Sequence, residues 1–230
     1  MNEKNIEIIY CDRDVAVCVK PAGVSCESSD GRECMPSLIA SALGVQYVGT
    51  VHRLDTVTKG LMLYSLNEKM TGKLSEAVAA RDTEKEYLAI VHGCPESQSG
   101  ELRDLLFRDA KKNKSYVVKR TRKGVREAIL SYRLLKTAET PFGVLSLVRI
   151  KLTTGRTHQI RVQFASRSMP LLGDGKYGAA DNAPLVALFS ARIAFTHPKN
   201  GKRMEFERLP VGSPWDIFGL TEEDKNGADN

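Results

Sequence analysis

The alternation of apolar and polar residues along the chain predicts more strands than helices. Ile6–Tyr10 and Val15–Lys20 are short β-rich runs separated by a polar turn, and together they predict a hairpin. Ile129–Leu135 and Val144–Leu152 flank a turn centred on Phe142, which predicts a second hairpin. Because hairpins outnumber crossover connections, the pattern predicts an α+β fold built on a mixed, largely antiparallel sheet.

Three segments have the spacing and end signals of helices. They are Pro36–Leu43, Asn67–Ala80 and roughly Thr157–Ser166. The side chain of Asn67 can cap the second of these helices. No repeat or low-complexity linker marks a boundary between domains. We therefore expect one domain over residues 1–220, followed by a polar, disordered tail over residues 221–230.

Composition narrows the class of protein. Of the 230 residues, 42% are hydrophobic and 27% are charged, as in ordinary globular proteins. The N-terminal Met1–Asn5 is unlike a signal peptide, and no apolar run approaches the roughly 20 residues that cross a bilayer. We therefore expect a cytoplasmic protein without membrane contact. The five cysteines form no C-x-x-C pair and the four histidines are scattered, so we expect no disulfide framework, no metal and no organic cofactor.

Positive charge is concentrated in Arg108–Arg126, which has nine Lys or Arg residues and one acid. This segment carries +8, and since the whole chain carries +6, the remainder carries −2. Such a patch suits a polyanion, because each phosphate that a basic side chain neutralises releases counterions. The segment also contains Tyr116, whose ring can stack on a base. A solvated, flexible charged loop is the alternative interpretation.

The densest group of chemically active side chains is His52–Gly60, with the sequence HRLDTVTKG. It lies between two apolar runs and therefore is expected to form a loop. Because Arg53 is two positions from Asp55, we expect the carboxylate of Asp55 to stay ionised. An ionised aspartate in a loop can act as a nucleophile or can stabilise a cation. A plain loop aspartate that pairs with Arg53 is the other interpretation.

This stretch resembles the HRLD-x-x-T-[ST]-G signature of the RluA/RluD family of RNA pseudouridine synthases. Further segments also resemble the family. Lys85–Gly93 matches its K-x-Y-x-A-x-V-x-G strand, and Thr154–Gln163 matches its G-R-T-H-Q-I-R-x-H element. Gly173–Gly178 matches its G-D-x-x-Y-G element and, more weakly, Lys20–Gly23 matches its K-P-[AS]-G turn. Two positions depart from the pattern, since Lys59 stands where the family usually has Ser or Thr and Gln163 stands where it usually has His. The resemblance implies one catalytic domain with flanking helices and a central RNA-binding cleft.

The resemblance also implies roles for individual residues. Asp55 matches the essential catalytic aspartate, and Tyr87 matches the tyrosine that stacks on the uracil and is a suggested base for its C5 proton. Arg161 matches an arginine that the family places against the catalytic aspartate, and His158 is expected to be structural. The residues expected to contact RNA are Arg53, Lys111, Lys112, Lys114, Lys119, Arg120, Arg122, Lys123 and Arg156.

The implied function is isomerisation of specific uridines in ribosomal RNA or tRNA to pseudouridine, with flipping of the target base. Only 13 residues precede Asp14, so we expect a catalytic domain without an N-terminal S4-like module, in which the basic segment provides RNA binding. RNA is the expected partner, and a monomer without an obligatory protein partner is the default. The alternatives are a non-catalytic RNA-binding protein of the same fold, a hydrolytic N-glycosylase that uses Asp55, and a basic structural protein of the ribosome.

Overall fold

The structure, a computed structural model, describes residues 6–27 and 32–225. Contacts between Cα atoms divide the chain into two compact units. The first unit contains the residues up to Lys85 together with Phe189–Arg208, and the second contains Glu86–Leu188 together with the residues from Leu209 onward. Each unit has its own strands and its own buried apolar residues.

The strands are β1 (Glu7–Cys11), β2 (Val15–Lys20), β3 (Gly49–Thr50), β4 (Lys59–Ser65), β5 (Glu84–His92), β6 (Ser99–Asp109), β7 (Lys114–Val118), β8 (Val125–Thr140), β9 (Gly143–Leu152), β10 (Leu188–Thr196) and β11 (Arg203–Glu207). The helices are α1 (Met35–Leu43), α2 (Glu68–Ala79) and α3 (Gln159–Ala165), and short 3-10 turns cover Gly175–Tyr177, Trp215–Phe218 and Glu222–Asp224. These elements confirm the predicted α+β class.

In the first unit the strands lie in the order β1-β2-β4-β10, with β3 beside β4 and β11 beside β10. β4 and β10 are parallel, whereas the other pairs in this unit are antiparallel. β2 and β4 form the core because nearly all their residues are buried, Cys18 among them. Gly60 has a φ of 122°, and a Cβ there would lie 2.4 Å from the carbonyl oxygen of Ser190 on β10. Only glycine permits this close approach.

In the second unit the strands lie in the order β5-β9-β8-β6-β7, and each neighbouring pair is antiparallel. β6 and β7 form a hairpin with its turn at residues 110–113. The basic segment Arg108–Arg126 is therefore the end of a hairpin and the exposed loop that follows it. α3 packs on this sheet through Val162, which belongs to a buried cluster with Leu106 and Ala128.

The predicted helices are present, and one of them starts later than expected. Asn67 caps α2, because its Oδ1 accepts the Lys69 N–H at 3.1 Å. α3 begins at Gln159 rather than at Thr157, because His158 has a φ of 54° and a left-handed residue cannot continue a right-handed helix. Among the described residues, no helix has the length and the apolar character that crossing a membrane requires.

Glu222–Asp224, within the segment predicted as a polar tail, form a short 3-10 turn that is bonded to the second unit. Lys136 Nζ donates to Oδ2 of Asp224 at 2.9 Å, and Arg149 Nη2 donates to the Asp224 carbonyl oxygen at 2.6 Å. These bonds hold the Glu222–Asp224 turn against β8 and β9 of the second unit. Residues 226–230 of the predicted tail lie outside the described residues.

Candidate active site

Asp55 lies in the loop that leads into β4, where the sequence predicted a loop. Its carbonyl oxygen accepts the Thr58 N–H at 3.0 Å, which closes a turn directly after the HRLD stretch. Leu54 and Thr58 are buried, with exposed fractions of 8% and 2%, whereas Asp55 is half-buried. The buried neighbours anchor the loop backbone at Asp55, while part of the residue's surface stays exposed.

A buried ammonium group ties this loop to the turn after β2. Lys20 is fully buried, and its Nζ donates to the carbonyl oxygens of Pro21, Val24 and Thr56 at 2.8, 2.9 and 3.1 Å. The three N–H donors of the ammonium therefore have three acceptors. Burial lowers the pKa of Lys20 to about 8, and the negative charge of Asp55 acts in the opposite direction. Thr56 directly follows Asp55, so Lys20 fixes the backbone at the candidate catalytic residue.

His52 is a structural member of the same loop. It is buried, and its Nε2 accepts the Leu63 N–H at 3.1 Å. Burial holds the pKa of His52 well below its usual range, and the nearby charge of Lys85 lowers it further. The imidazole is therefore neutral near pH 7, and since Nε2 is an acceptor, the hydrogen is assigned to Nδ1. This contact fixes the start of the loop to β4.

Arg53 points outward, and its side chain is 67% exposed. Its Nη1 lies 3.3 Å from Oε2 of Glu27, whose side chain is also largely open to solvent. An exposed ion pair of this kind contributes at most about 1 kcal/mol to stability. The fold therefore does not need Arg53, and its guanidinium lies at the surface two residues from Asp55.

Arg161, in α3 of the second unit, has a buried carboxylate partner that the sequence analysis did not identify. Its Nε donates to Oδ2 of Asp174 at 2.6 Å and its Nη2 donates to Oδ1 at 2.8 Å. Both residues are buried, and Asp174 belongs to the G-D-x-x-Y-G element. A bidentate pair of this kind fixes the plane of the guanidinium.

Tyr177, in the same element, lies against this pair. The Cζ of Arg161 is 5.1 Å from the centroid of the Tyr177 ring. The Tyr177 hydroxyl lies 2.8 Å from Nδ1 of His158 and accepts the backbone N–H of Ser115 at 2.9 Å. This contact agrees with the structural role expected of His158, which stays a prediction.

Tyr87 lies on β5 opposite Ile150 of β9, and it is 5% exposed. A tyrosine buried in a strand can be a core residue or a member of the active site. Its hydroxyl requires a polar partner and its ring offers a face for stacking.

The basic residues of the second unit are mostly exposed, with aromatic rings among them. The exposed residues are Lys111, Lys112, Lys119, Arg120, Arg122, Lys123 and Arg156. Lys114 is half-buried, and its Nζ lies 5.8 Å from the ring centroid of Tyr116 and 5.1 Å from that of Tyr177. Arg122 lies over Phe107 with its Cζ 4.3 Å from the ring centroid. Cations interleaved with aromatic rings are typical of surfaces that bind single-stranded RNA.

One group in the first unit has the residue types of a metal site. Asp12, Asp14 and His197 place their potential ligand atoms within 4.8 Å of one another. However, Nδ1 of His197 accepts the Lys199 N–H at 3.3 Å, so Nε2 carries the hydrogen and donates to Asp12 at 3.0 Å. Asp14 accepts from Nδ2 of Asn67 at 2.8 Å. Hydrogen bonds thus explain this cluster without a metal, and the absence of a metal stays a prediction.

Comparisons with known proteins give the family. The sequence model described as RNA pseudouridylate synthase matches residues 14–166. An uncharacterized RNA pseudouridine synthase from Aquifex aeolicus is 34% identical over 221 residues, which cover 88% of this chain and 68% of the relative. Ribosomal large subunit pseudouridine synthase D from Zymomonas mobilis is 30% identical over 224 residues, covering 88% and 68%. tRNA pseudouridine synthase C from Haemophilus ducreyi is 30% identical over 236 residues, covering 93% and 94%.

A solved structure has the same fold. Human RNA Pseudouridylate Synthase Domain Containing 1 superposes with a TM-score of 0.79 at 20% identity, over 91% of this chain and 85% of that one. The family match covers more than half of the chain and includes the loop of Asp55, β5 and α3. The chain therefore belongs to the family of RNA pseudouridine synthases, as its sequence motifs predicted.

Proposed function

We propose that this synthase modifies specific uridines of ribosomal RNA or tRNA and that Asp55 is its catalytic carboxylate. The observation that carries this proposal is that buried side chains bond to the backbone of the loop that contains Asp55. Two buried side chains, Lys20 and His52, fix its backbone, although the carboxylate itself is only half-buried. A group held rigidly but accessible to substrate is what positioning catalysis requires.

The reaction is an isomerisation. The bond from C1′ to N1 of the uridine breaks, the uracil turns, and a bond from C1′ to C5 forms. The hydrogen lost from C5 is balanced by one gained at N1, so no oxidant, reductant or water is consumed. The carboxylate of Asp55 acts near the sugar, by attack on C1′, by attack on C6 of the base, or by removal of the 2′ proton.

Tyr87 and Arg161 are the other two residues that we propose to be catalytic. In this proposal the ring of Tyr87 supports the detached uracil and its hydroxyl acts on the C5 proton. Arg161, whose guanidinium plane is fixed by Asp174, has the part in catalysis that the family resemblance implies.

The RNA surface of the proposal consists of Arg53, Arg156 and the basic hairpin with its following loop. Flipping the target base costs a few kcal/mol of stacking and pairing energy. Phosphate contacts from the exposed cations offset this cost, and Arg53 fills the space that the base leaves. The cytoplasmic location, the monomeric state and the single domain over residues 1–220 stay predictions.

The test is a pseudouridine map of total RNA from cells with and without the gene, read by carbodiimide-based sequencing. We expect one or a few discrete sites to disappear and to return with the wild type but not with Asp55→Ala. Asp216→Ala, which changes an exposed aspartate of the second unit, is the matched control and should restore every site. An unchanged map would contradict the proposed substrate class, and full rescue by Asp55→Ala would favour the non-catalytic RNA-binding protein. Release of free uracil by the purified protein would favour the N-glycosylase.

A further inference from the structure

The outer edge of β7 is attached to the element that holds Arg161. Ser115 donates its backbone N–H to the Tyr177 hydroxyl at 2.9 Å, and its Oγ donates to the Thr157 carbonyl oxygen at 2.6 Å. β7 has β6 on one side only, so these bonds satisfy groups on its other edge. The neighbouring residue Lys114 begins the basic strand, and the exposed basic loop follows four residues after Ser115.

Tyr177 and Asp174 lie on one turn. The Tyr177 N–H donates to the Asp174 carbonyl oxygen at 2.9 Å, which closes the turn that carries both side chains. Asp174 holds the edge of the Arg161 guanidinium, and the Tyr177 ring lies 5.1 Å from its Cζ. The same ring is 5.1 Å from Nζ of Lys114. Both distances are within the range in which an aromatic face attracts a cation.

We propose that Tyr177 is a positioning residue that couples the RNA-binding hairpin to the catalytic arginine. The inference rests on the proposed function of Arg161 and of the basic segment. The two parts of the side chain have separate tasks. The hydroxyl anchors β7 through Ser115 and so sets where the basic hairpin meets the phosphates. The ring supports Arg161 and so sets the orientation of its guanidinium.

This division predicts different kinetic effects for two substitutions. Tyr177→Phe keeps the ring and removes the hydroxyl contacts with Ser115 and His158. Because β7 loses an anchor, KM for the RNA substrate should rise about 3- to 10-fold while kcat stays within about 2-fold. The slope of log Kd against log salt should become shallower by about 1, the value for one lost phosphate contact. Tyr177→Leu also removes the ring, so kcat should fall by about 10-fold or more. Ser115→Ala removes the second anchor without touching Arg161, and it should raise KM alone.

The experiment measures kcat, KM and the salt dependence of RNA binding for the full-length variants, with melting temperatures alongside. Tyr132→Phe, a half-buried tyrosine of β8 in the same unit, is the control and should match the wild type. The proposal is overturned if Tyr177→Phe leaves KM and the salt slope unchanged. It is also overturned if Tyr177→Phe and Tyr177→Leu lower kcat equally, which is what a general loss of stability would produce.

A hairpin variant separates this proposal from the one on which it rests. Lys119, Arg120 and Lys123 replaced together by Gln should raise KM and reduce the salt slope. If that variant binds RNA like the wild type, the basic segment is not the RNA surface and the proposed function loses that part. If the hairpin variant binds RNA more weakly while Tyr177→Phe has the KM and salt slope of the wild type, the hairpin binds RNA and only the coupling through Tyr177 is contradicted.

Discussion

The ammonium of Lys20 donates a hydrogen bond to the carbonyl oxygen of Thr56 at 3.1 Å. This bond joins two segments that are 36 residues apart, the turn after β2 and the loop of Asp55. A buried cation is costly unless polar partners surround it, and here three carbonyl oxygens do so. The residue therefore stabilises the loop backbone and at the same time places a positive charge near the Asp55 carboxylate.

Replacement of Lys20 by methionine should lower both stability and activity. The Lys20→Met side chain fills similar space but leaves three carbonyl oxygens without a donor. We expect the free energy of unfolding to fall by about 2–4 kcal/mol, measured by urea denaturation. Lys69→Met, at an exposed lysine of α2, is the control and should change it by less than about 0.5 kcal/mol. A Lys20→Met protein as stable as the wild type would show that the cage contributes nothing.

The pKa of Lys20 also predicts how stability depends on pH. Burial lowers this pKa from 10.5 to about 8. Between pH 8 and 10.5 the unfolded chain binds more protons at this site than the folded one, so stability increases with pH in that window. The difference in unfolding free energy between wild type and Lys20→Met should therefore grow by up to about 3 kcal/mol from pH 8 to 10.5. A difference that shrinks with pH would mean that the carbonyl cage raises the pKa instead.

Gly60 should tolerate no side chain. In Gly60→Ala the new Cβ would meet the backbone of Ser190 at 2.4 Å and at a φ of 122°. We expect a loss of at least about 3 kcal/mol of stability, or no folded protein. Gly72→Ala, in α2 with no heavy atom within 4 Å, is the control and should stabilise by about 0.5–1 kcal/mol. Thermal unfolding of both variants tests the pair, and a Gly60→Ala protein with the melting temperature of the wild type would contradict the close approach.

The sequence predicted those features that depend on local pattern. Alternation located the strands of the two predicted hairpins, and the spacing of HRLD, G-R-T-H-Q-I-R and G-D-x-x-Y-G indicated the candidate site. Contacts between distant segments had no such signal. The role of Lys20 was missed because K-P-x-G turns are common, although a lysine that ends a strand of buried residues was a usable hint. Asp174 was quoted within a motif, but only the folded chain shows that it binds Arg161.

Arg53 should affect RNA binding and not stability. Its ion pair with Glu27 is exposed, so Arg53→Ala and Glu27→Ala should each change the free energy of unfolding by less than about 1 kcal/mol. Arg53→Ala should raise KM for RNA, because it removes a cation beside Asp55. Glu27→Ala should leave KM unchanged or lower it, because it removes an acid that competes with phosphate. Equal effects of the two variants on KM would mean that the ion pair, and not the arginine, is what matters.

Asp174 should be needed for stability. In Asp174→Asn the buried guanidinium of Arg161 loses its bidentate carboxylate, and breaking a buried pair costs about 3–5 kcal/mol. Glu101→Gln breaks an exposed pair with Arg103 in the same unit and should cost less than about 1 kcal/mol. Urea denaturation measures both.

The comparison between the two variants decides whether the pair of Asp174 and Arg161 is a buried, bidentate one. An exposed pair contributes at most about 1 kcal/mol. A loss for Asp174→Asn no larger than the loss for Glu101→Gln would therefore contradict the buried pair.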